Sequence, residues 1–214
     1  MEKKLYTYWR SSGAYRVRIA LNLKNLSYES IPINLVEAEH QTEDFLLRNP
    51  QGMVPVLTDG GRTFRQSMAI VEYLEEAYPE PPIMPAEIRA RVRVRGLAHA
   101  IGCDIHPINN LRVLNYLRDE LGLSEEKVKA WVQHWINTGF EAFEALLDES
   151  PTTGDFCEGD DPSLADICLV PQVYNAIRYE VSLKPYPSLR RIYANCMAEE
   201  AFHRAAPEQQ PDAP

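Results

Sequence analysis

The sequence predicts an α+β domain in its first 80 residues and an all-helical domain after them. Three observations lead to this division. Segments typical of strands and helices alternate up to Tyr78, a stretch with four prolines (YPEPPIMPAE, 78–87) follows, and only helical periodicity is found beyond it. Closely spaced prolines make a stiff connection. We therefore expect a first domain at 1–80, a linker at 81–88, a helical domain at 89–206 and a disordered tail at 207–214.

The first domain is expected to have the element order β-α-β-α-β-β-α. It begins with a bulky run typical of a strand, KLYTYW, and continues with apolar residues at helical spacing between Ala14 and Asn25. Pro32 limits the next strand candidate to a sheet edge, because proline has no N–H to donate to a neighbouring strand. The residues Asp59-Gly60-Gly61 are typical of a hairpin turn, and Ser67 is expected to be the N-cap of the following helix.

The second region shows helical periodicity only, with helices predicted at 89–99, 107–121, 124–147, 163–178 and 187–198. The fourth of these begins with Ser163 and Asp166, three residues apart and ahead of an apolar run. This spacing is typical of a capping box and indicates a role in stability. The last residues, PEQQPDAP, are polar and rich in proline, which is why we predict a disordered tail.

The composition is that of an ordinary soluble protein, with 45% hydrophobic and 25% charged residues and a formal net charge of -9 at pH 7. An acidic chain is a poor partner for nucleic acid or an anionic membrane surface. No apolar run is long enough to span a bilayer, and no hydrophobic signal follows the two N-terminal lysines, so we expect a cytoplasmic protein. The four cysteines show neither C-x-x-C nor zinc-like spacing, which predicts reduced thiols and no metal site.

The sequence RSSG at 10–13 stands where the first strand passes into the first helix. A helix N-terminus offers unpaired N–H groups and partial positive charge, so this junction is a natural place to hold an anion. Ser11 can act there as a helix cap alone, or it can also take part in binding the anion. Arg10 adds a cation beside it. We consider Ser11, Arg10 and Ser12 as candidate catalytic residues.

Several separated motifs resemble the cytosolic glutathione transferases. The sequence NPQGMVPVL (49–57) resembles the family's cis-proline loop, here at Val54 and Pro55, and RQSMAIVEYLEE (65–76) resembles the segment that grips the γ-glutamyl end of glutathione. The sequence RSSGAYRVRIALNLK (10–24) resembles the Ser-Ser-Cys motif of the zeta class. Zeta-class isomerases are similar to this chain also at CDIHPINNLRVLNYL (103–117) and GDDPSLADICLVPQVYNAIRY (159–179). This resemblance covers nearly the whole chain and implies a thioredoxin-like first domain.

The resemblance implies glutathione as the cofactor. The backbone of Val54 would pair with its cysteinyl part like an added strand, and the N-terminus of the helix at Ser67 would face the γ-glutamyl carboxylate. Gln66 can both donate and accept, which suits an amino acid's ammonium and carboxylate. His40 and Gln51, each taken alone, are more often surface residues, and His106 could equally be a core or interface histidine. The expected glutathione contacts are His40, Gln51, Val54, Pro55, Gln66, Ser67, Asp104, His106 and Asn110.

The activity implied by the resemblance is the cis–trans isomerisation of maleylacetoacetate to fumarylacetoacetate in homogentisate catabolism, carried out by a homodimer. Glutathione thiolate would add to the activated double bond, allow rotation and then be expelled. Ser11 would donate to that thiolate. The substrate is a small dicarboxylate, and arginine binds carboxylates through two parallel hydrogen bonds. Arg10, Arg112 and Arg178 are therefore the candidate substrate ligands, although a solvated helix face explains the last two equally well.

The chain departs from the zeta-class motif at one point, because Gly13 stands at the family's cysteine and Ala14 at the serine after it. This assigns the chemistry to Ser11. The alternatives are a maleylpyruvate isomerase, a general glutathione transferase or dehalogenase, and a binding module without catalysis. Maleylpyruvate isomerases tend to have a basic residue at the position of Leu111, so Leu111 favours maleylacetoacetate as the substrate.

Overall fold

The structure is a computed structural model that describes residues 2–214. It divides into two compact units. The first unit runs to Ile83 and also contains Met197–Pro214, and the second unit is Met84–Cys196. The helical region that we predicted at 89–206 therefore ends earlier, since the last eighteen residues of the chain fold with the α+β unit.

The first unit contains a four-stranded sheet with the strand order β2-β1-β3-β4. Strand β1 pairs in parallel with β2 and antiparallel with β3, and β3 and β4 form an antiparallel hairpin. This order and mixed sheet confirm the predicted thioredoxin-like α+β fold. The elements are β1 (Lys4–Thr7), α1 (Ser12–Leu23), β2 (Glu29–Pro32), α2 (Glu43–Arg48), β3 (Val56–Asp59), β4 (Arg62–Arg65) and α3 (Ser67–Ala77).

The local sequence accounts for the sheet. Pro32 ends the edge strand β2, where its missing N–H costs no ladder bond. Gly60 and Gly61 have φ values of 56° and 78°, the left-handed conformation that a tight hairpin turn between β3 and β4 requires. Leu5 and Leu57 lie opposite each other on β1 and β3 and are fully buried. They form part of the core that positions α1.

Helix α1 is the central element of the first unit. It packs against α3 and against a short C-terminal helix, numbered α9 below. Its residues Gly13 to Leu21 are all buried, and these include two arginines, Arg16 and Arg18, which are 1% and 0% exposed. The sequence predicted a wide buried face for this helix, but it did not single out the two arginines within that face.

The second unit is helical. The residue Asn110, extended at φ -69° and ψ 150°, interrupts the helix predicted at 107–121. Its side chain accepts a hydrogen bond from the N–H of Arg112 and so starts a new helix. A 3₁₀ turn (Pro107–Asn109) precedes it, and π-helical turns occupy Ala100–Ile105 and Tyr116–Glu120. The helices are α4 (Ile88–His99), α5 (Leu111–Asn115), α6 (Glu125–Asp148), α7 (Leu164–Arg178) and α8 (Pro187–Ala198).

The start of α7 contains the predicted capping box. The Ser163 side chain accepts from the backbone of the first turn, and Asp166 accepts from the N–H and hydroxyl of Ser163 at 2.9 and 2.8 Å. Asp166 is fully buried and also accepts from the N–H of Cys157 at 2.9 Å. The carboxylate thus joins the loop before α7 to the helix itself.

The tail that we predicted to be disordered has a defined structure. After α9 (Glu200–Ala205), a 3₁₀ turn spans Pro207–Gln209. The amide of Gln210 donates to the carbonyls of Arg204 and Ala206 at 3.0 and 2.8 Å. Burial of Pro207 and specific hydrogen bonds of Gln210 therefore hold a segment that is mostly polar. Within residues 2–214, no helix combines the length and apolar character needed to cross a bilayer.

Candidate active site

Three segments of the first unit converge at Gly13, in the first turn of α1. A Cβ atom at Gly13 would lie 3.1 Å from Cδ of Pro55, 3.7 Å from the carbonyl oxygen of Val54 and 3.8 Å from Cβ of Ser67. The Val54–Pro55 peptide is cis, as the motif predicted. The start of α1, the loop before β3 and the start of α3 therefore meet with little space between them.

Ser11 is the N-cap of α1. Its hydroxyl oxygen accepts from the N–H of Ala14 at 3.3 Å, and its own N–H donates to the carbonyl of Tyr8 at 3.0 Å. A serine hydroxyl has two acceptor sites and one proton to donate, and the contact with Ala14 uses one acceptor site. Ser11 and Ser12 are both half-buried. Ser11 can thus cap the helix and still donate its proton to a group held at the helix N-terminus.

The start of α3 differs from the prediction by one residue. Gln66 holds the N-cap position, and Ser67 is the first residue of the helix instead of its cap. Gln66 has φ 70°, a left-handed conformation that a residue with a Cβ rarely adopts and that costs on the order of 1 kcal/mol or more. Its exposed side chain donates from Nε2 to Oε1 of Gln51 at 2.7 Å. Gln66 and Gln51, two predicted cofactor ligands, are therefore in direct contact.

His40 belongs to the edge of the same cluster. A Cβ at Gly52, the residue after Gln51, would lie 3.2 Å from the carbonyl oxygen of His40. Burial lowers the pKa of His40, so its ring is neutral at pH 7. Its Nδ1 atom is buried and has no hydrogen-bond partner within residues 2–214. A neutral imidazole in this place can donate or accept one further hydrogen bond.

Arg16 is a part of this site that the sequence analysis missed. Its Nη1 donates to the hydroxyl of Ser67 at 3.3 Å, while Nε and Nη2 are buried and, in the described part of the chain, have no partner. A buried guanidinium at the N-terminus of α3 adds positive charge to that of the helix itself. The sequence signal was available, since an arginine within the apolar pattern of α1 is unusual and marks a buried charge.

Arg10 lines an open cavity of about 600 Å³ in the first unit. The cavity lies between the end of β1, the loop after β2 and the tail, and its walls include Trp9, Asn34, Glu37 and Asp212. The guanidinium of Arg10 is 5.1 Å from the centre of the Trp9 ring, a distance at which a cation and an aromatic face attract each other. Arg10 therefore has a preferred position directly before Ser11.

The remaining candidates are in the second unit. Asp104 is exposed and lies within the first π-helical turn, and His106 directly follows that turn. Asn110 is the N-cap of α5. Arg112 lies exposed on α5. Arg178 ends α7, where it donates to the Asn175 side chain at 3.4 Å and to the Tyr179 hydroxyl at 3.2 Å. Asp104, His106, Asn110 and Arg112 are thus neighbours along one irregular segment, and Arg178 comes from a different helix.

Known proteins resemble this chain over its full length. The profile of the glutathione S-transferase N-terminal domain family matches residues 5–82. A maleylpyruvate isomerase of Ralstonia sp is 50% identical over 209 residues, which are 98% of this chain and 99% of that protein. The maleylacetoacetate isomerase of Pseudomonas aeruginosa is 48% identical over 214 residues, covering 99% of each chain. The chain belongs to the glutathione transferase family.

Solved structures place it in the zeta class of that family. A holo structure of maleylpyruvate isomerase, described as a bacterial zeta-class glutathione transferase, has a TM-score of 0.97 at 50% identity and covers 99% of this chain and 100% of that one. A maleylacetoacetate isomerase from Methylobacterium extorquens AM1, solved with bound malonate and glutathione, has a TM-score of 0.96 at 40% identity with 99% coverage of each chain. The predicted zeta-class membership is confirmed.

The departure of this glutathione transferase at Gly13 has a physical consequence. The cysteine of the zeta-class motif has a Cβ, and the 3.1 Å that it would leave to Pro55 is shorter than ordinary van der Waals contact. A cysteine at position 13 would therefore require Pro55 to move away by a few tenths of an ångström. Glycine allows the start of α1 to lie this close to the Pro55 loop. The backbone of Val54 and the N-terminus of α1 therefore lie close to each other.

Proposed function

We propose that this protein is a glutathione-dependent cis–trans isomerase that converts maleylacetoacetate to fumarylacetoacetate. The observation that carries the proposal is the convergence of Ser11 and Gly13 on α1, Val54 and Pro55 in the next loop, and Ser67 on α3. The isomerases of Pseudomonas aeruginosa and Methylobacterium extorquens support it, and the latter was solved with glutathione and the dicarboxylate malonate.

The residues of the first unit fit glutathione. Val54 precedes the cis bond to Pro55 beside the start of α1, and we propose that its peptide pairs with the extended ligand like an added strand. Ser67 at the N-terminus of α3, with the buried Arg16 beneath it, would hold the γ-glutamyl carboxylate, and Gln66 its ammonium group. His40 and Gln51 would contact the glycine end. In the second unit, Asp104, His106 and Asn110 are proposed to complete the contacts.

The mechanism assigns one task to each group of residues. When bound, glutathione supplies a thiolate that adds to the maleyl double bond, allows rotation about it and leaves again. The hydroxyl of Ser11 and the N-terminus of α1 favour the charged form of that sulfur, with Ser12 as a second donor. Arg10, Arg112 and Arg178 would bind the substrate carboxylates and oppose the build-up of negative charge. An acidic protein needs such local cations, because its net charge of -9 repels a dianion.

The variant Ser11→Ala tests the proposal. It should lower the isomerisation rate and raise the apparent pKa of bound glutathione, which the absorbance of the thiolate reports during a pH titration. Ser124→Ala is the matched control, since Ser124 caps α6 in the second unit through a similar bond to Lys127. Both variants lose an N-cap, so a difference between them isolates the role of Ser11 beside the cofactor. Full activity and an unchanged titration of Ser11→Ala would remove it from the mechanism.

The second candidate function is the isomerisation of maleylpyruvate, the same chemistry on a shorter substrate. The Ralstonia sp relative, at 50% identity, favours it. Leu111 favours maleylacetoacetate, because maleylpyruvate isomerases tend to have a basic residue where this chain has an apolar side chain, 42% exposed, at the start of α5. The ratio of kcat/KM for the two substrates decides between them. A higher value for maleylpyruvate would reverse our assignment.

We further propose that the protein is a cytoplasmic homodimer. Ile88 and Val92, one helical turn apart on α4, are 76% and 66% exposed. Such an apolar pair on a helix surface is the kind that a partner subunit covers. Sedimentation should show a dimer at the enzyme's working concentration, and an active monomer would contradict this proposal.

A further inference from the structure

The C-terminal tail makes a direct contact with the turn between β1 and α1, which contains Trp9 and precedes Ser11. The N–H of Trp9 donates to Oδ2 of Asp212 at 2.8 Å. Asp212 is near the end of a segment that is fixed upstream, because Pro207 is buried and Gln210 is bonded to the turn after α9. The carboxylate therefore reaches Trp9 from an ordered tail.

Arg18 binds the same turn through the backbone carbonyls of Tyr8 and Trp9. It is fully buried, and its guanidinium donates to the carbonyls of Trp9 at 2.9 Å, Tyr8 at 3.4 Å and Ala205 at 3.0 Å, and to the hydroxyl of Thr7 at 3.1 Å. A buried charge is costly unless hydrogen bonds replace its hydration. Here these bonds spread the charge over the end of β1 and over the last residue of α9.

Both backbone polar groups of Trp9 are thus bound by side chains, the N–H by Asp212 and the carbonyl by Arg18. The carbonyl of Tyr8 accepts from Arg18 and also from the N–H of Ser11. Within residues 2–214, no strand pairs with the backbone between β1 and α1, so side chains supply these partners. The next two residues are Arg10 and Ser11.

We propose that Arg18 and Asp212 are positioning residues that fix the Tyr8–Ser11 backbone, so that the C-terminal tail is part of the catalytic apparatus. The inference rests on the proposed function in one respect, the role of Ser11 and Arg10. A displacement of about 1 Å in a reacting group can lower a rate by roughly a hundredfold, so the two side chains act through the position of the Ser11 hydroxyl. A carboxylate only accepts and a guanidinium only donates, so neither can be exchanged for the other.

The test compares the wild type with three variants: Asp212→Ala, Asp212→Asn and a chain that ends after Gln210. Asp212 is half-buried near the end of the tail, and its Oδ1 atom has no hydrogen-bond partner within residues 2–214, so a substitution of Asp212 affects only the contact with Trp9. We therefore expect the melting temperature of each variant to stay within a few degrees of that of the wild type. Asp212→Ala should lower kcat about tenfold, change the KM for glutathione less than twofold and raise the apparent pKa of bound glutathione. Asp212→Asn retains an acceptor oxygen and should recover most of the loss. Asp161→Ala, an exposed aspartate of the second unit, is the control.

Amide hydrogen exchange gives a readout that does not need turnover. The amides of Trp9 and Ser11 should exchange faster in Asp212→Ala and in the truncated chain than in the wild type. Unchanged exchange would overturn the proposed contact. Faster exchange with unchanged kcat and unchanged thiolate titration would overturn its role in positioning. If the wild type fails to isomerise either maleyl substrate, the proposed function is wrong, and the exchange and the thiolate titration still decide the role of Asp212.

Discussion

Arg10 stands one residue before Ser11, lines the open cavity of the first unit and lies over the face of Trp9. If it binds a substrate carboxylate, Arg10→Ala should lower kcat/KM for maleylacetoacetate by roughly ten- to a hundredfold, since a charge-assisted hydrogen bond is worth about 1.5–3 kcal/mol. The loss should be far smaller for a neutral electrophile conjugated in the same site. Arg10→Lys should recover only part of it, because an ammonium cannot make the planar two-pronged contact.

The control for this comparison is Arg62→Ala, which removes an exposed arginine of β4 from the same unit. An equal loss for charged and neutral substrates would mean that Arg10 acts on the thiolate or on the loop. Arg112 and Arg178 would then become the leading carboxylate ligands.

Single residues show where the sequence was sufficient and where it was not. The cis bond between Val54 and Pro55 and the helix cap at Ser11 were predictable, because each belongs to a local motif whose conformation depends on near neighbours. The apolar pattern of α1 could have indicated that Arg16 is buried, but its partner Ser67 is 51 positions away along the chain and no local pattern reports it. Nor could the sequence explain Gly13, since the reason is an approach of Pro55 that only the folded chain creates.

The hairpin of β3 and β4 is joined to α3 through one carboxylate. Asp59, buried at the end of β3, accepts from the hydroxyls of Tyr73 at 3.0 Å and Tyr78 at 2.6 Å. Phe64 of β4 stacks on the Tyr73 ring with the ring centres 4.0 Å apart. Burial, and then the hydrogen bond to Asp59, raise the pKa of Tyr73 to about 12, while the bond to Asp59 is the main cause of the raised pKa of Tyr78.

The raised pKa of Tyr73 predicts a loss of stability in alkali. An unfolded chain releases the tyrosine proton near pH 10.0, whereas the folded protein keeps it up to a pH of about 12. The folded state thus binds more protons between pH 10 and about 12. The contribution of Tyr73 to the free energy of unfolding is therefore complete below pH 10 and is lost as the pH rises from 10 to about 12. In Tyr73→Phe, urea unfolding at a series of pH values should show a shallower decline.

The control is Tyr116→Phe, which removes the hydroxyl of a tyrosine that is 57% exposed. Its decline should follow that of the wild type. A Tyr73→Phe curve parallel to the wild type would show that the bond between Tyr73 and Asp59 contributes nothing to alkaline stability.

Among the elements, periodicity predicted the long helices well and the irregular segment at 107–121 poorly. Helices α6 and α7 bury a continuous apolar face, so the spacing of their apolar residues defines them. In the irregular segment, Asn110 caps a new helix and a π-helical turn occupies Tyr116–Glu120. A polar cap within an apolar pattern is a local hydrogen-bond choice, and hydrophobic spacing does not report it.

Across the chain as a whole, the prediction that differed most from the structure concerns the C-terminus. Composition favoured a disordered tail, yet Gln210 and Asp212 are held by backbone groups of the first unit. Their partners include Trp9, 203 positions away. Composition measures how much apolar surface a segment can bury, whereas this tail is also held by local hydrogen bonds of Gln210 and by one bond from Asp212 to the distant Trp9.

Binding of glutathione should stabilise the entire folded chain. At a concentration one hundred times its Kd, a ligand that binds only the folded state adds about 2.7 kcal/mol to the free energy of unfolding. For a chain of this length that corresponds to a rise in Tm of roughly 5–11 °C, at about 2–4 °C per kcal/mol. Gln66→Ala should weaken the binding of glutathione and therefore give a smaller rise at the same concentration, by about 1.4 kcal/mol if Kd increases tenfold.

Cysteinylglycine, which lacks the γ-glutamyl group, separates the role of Gln66 from a general effect of the substitution. If Gln66 binds the γ-glutamyl end, Gln66→Ala should reduce the shift produced by glutathione and leave the small shift produced by cysteinylglycine as it is in the wild type. Equal losses for both ligands would instead mean that the substitution disturbs the left-handed backbone at the start of α3, where Gln66 has φ 70°. In that case its contact with Gln51 would have a structural role, and Ser67 with Arg16 would remain as the proposed carboxylate ligands.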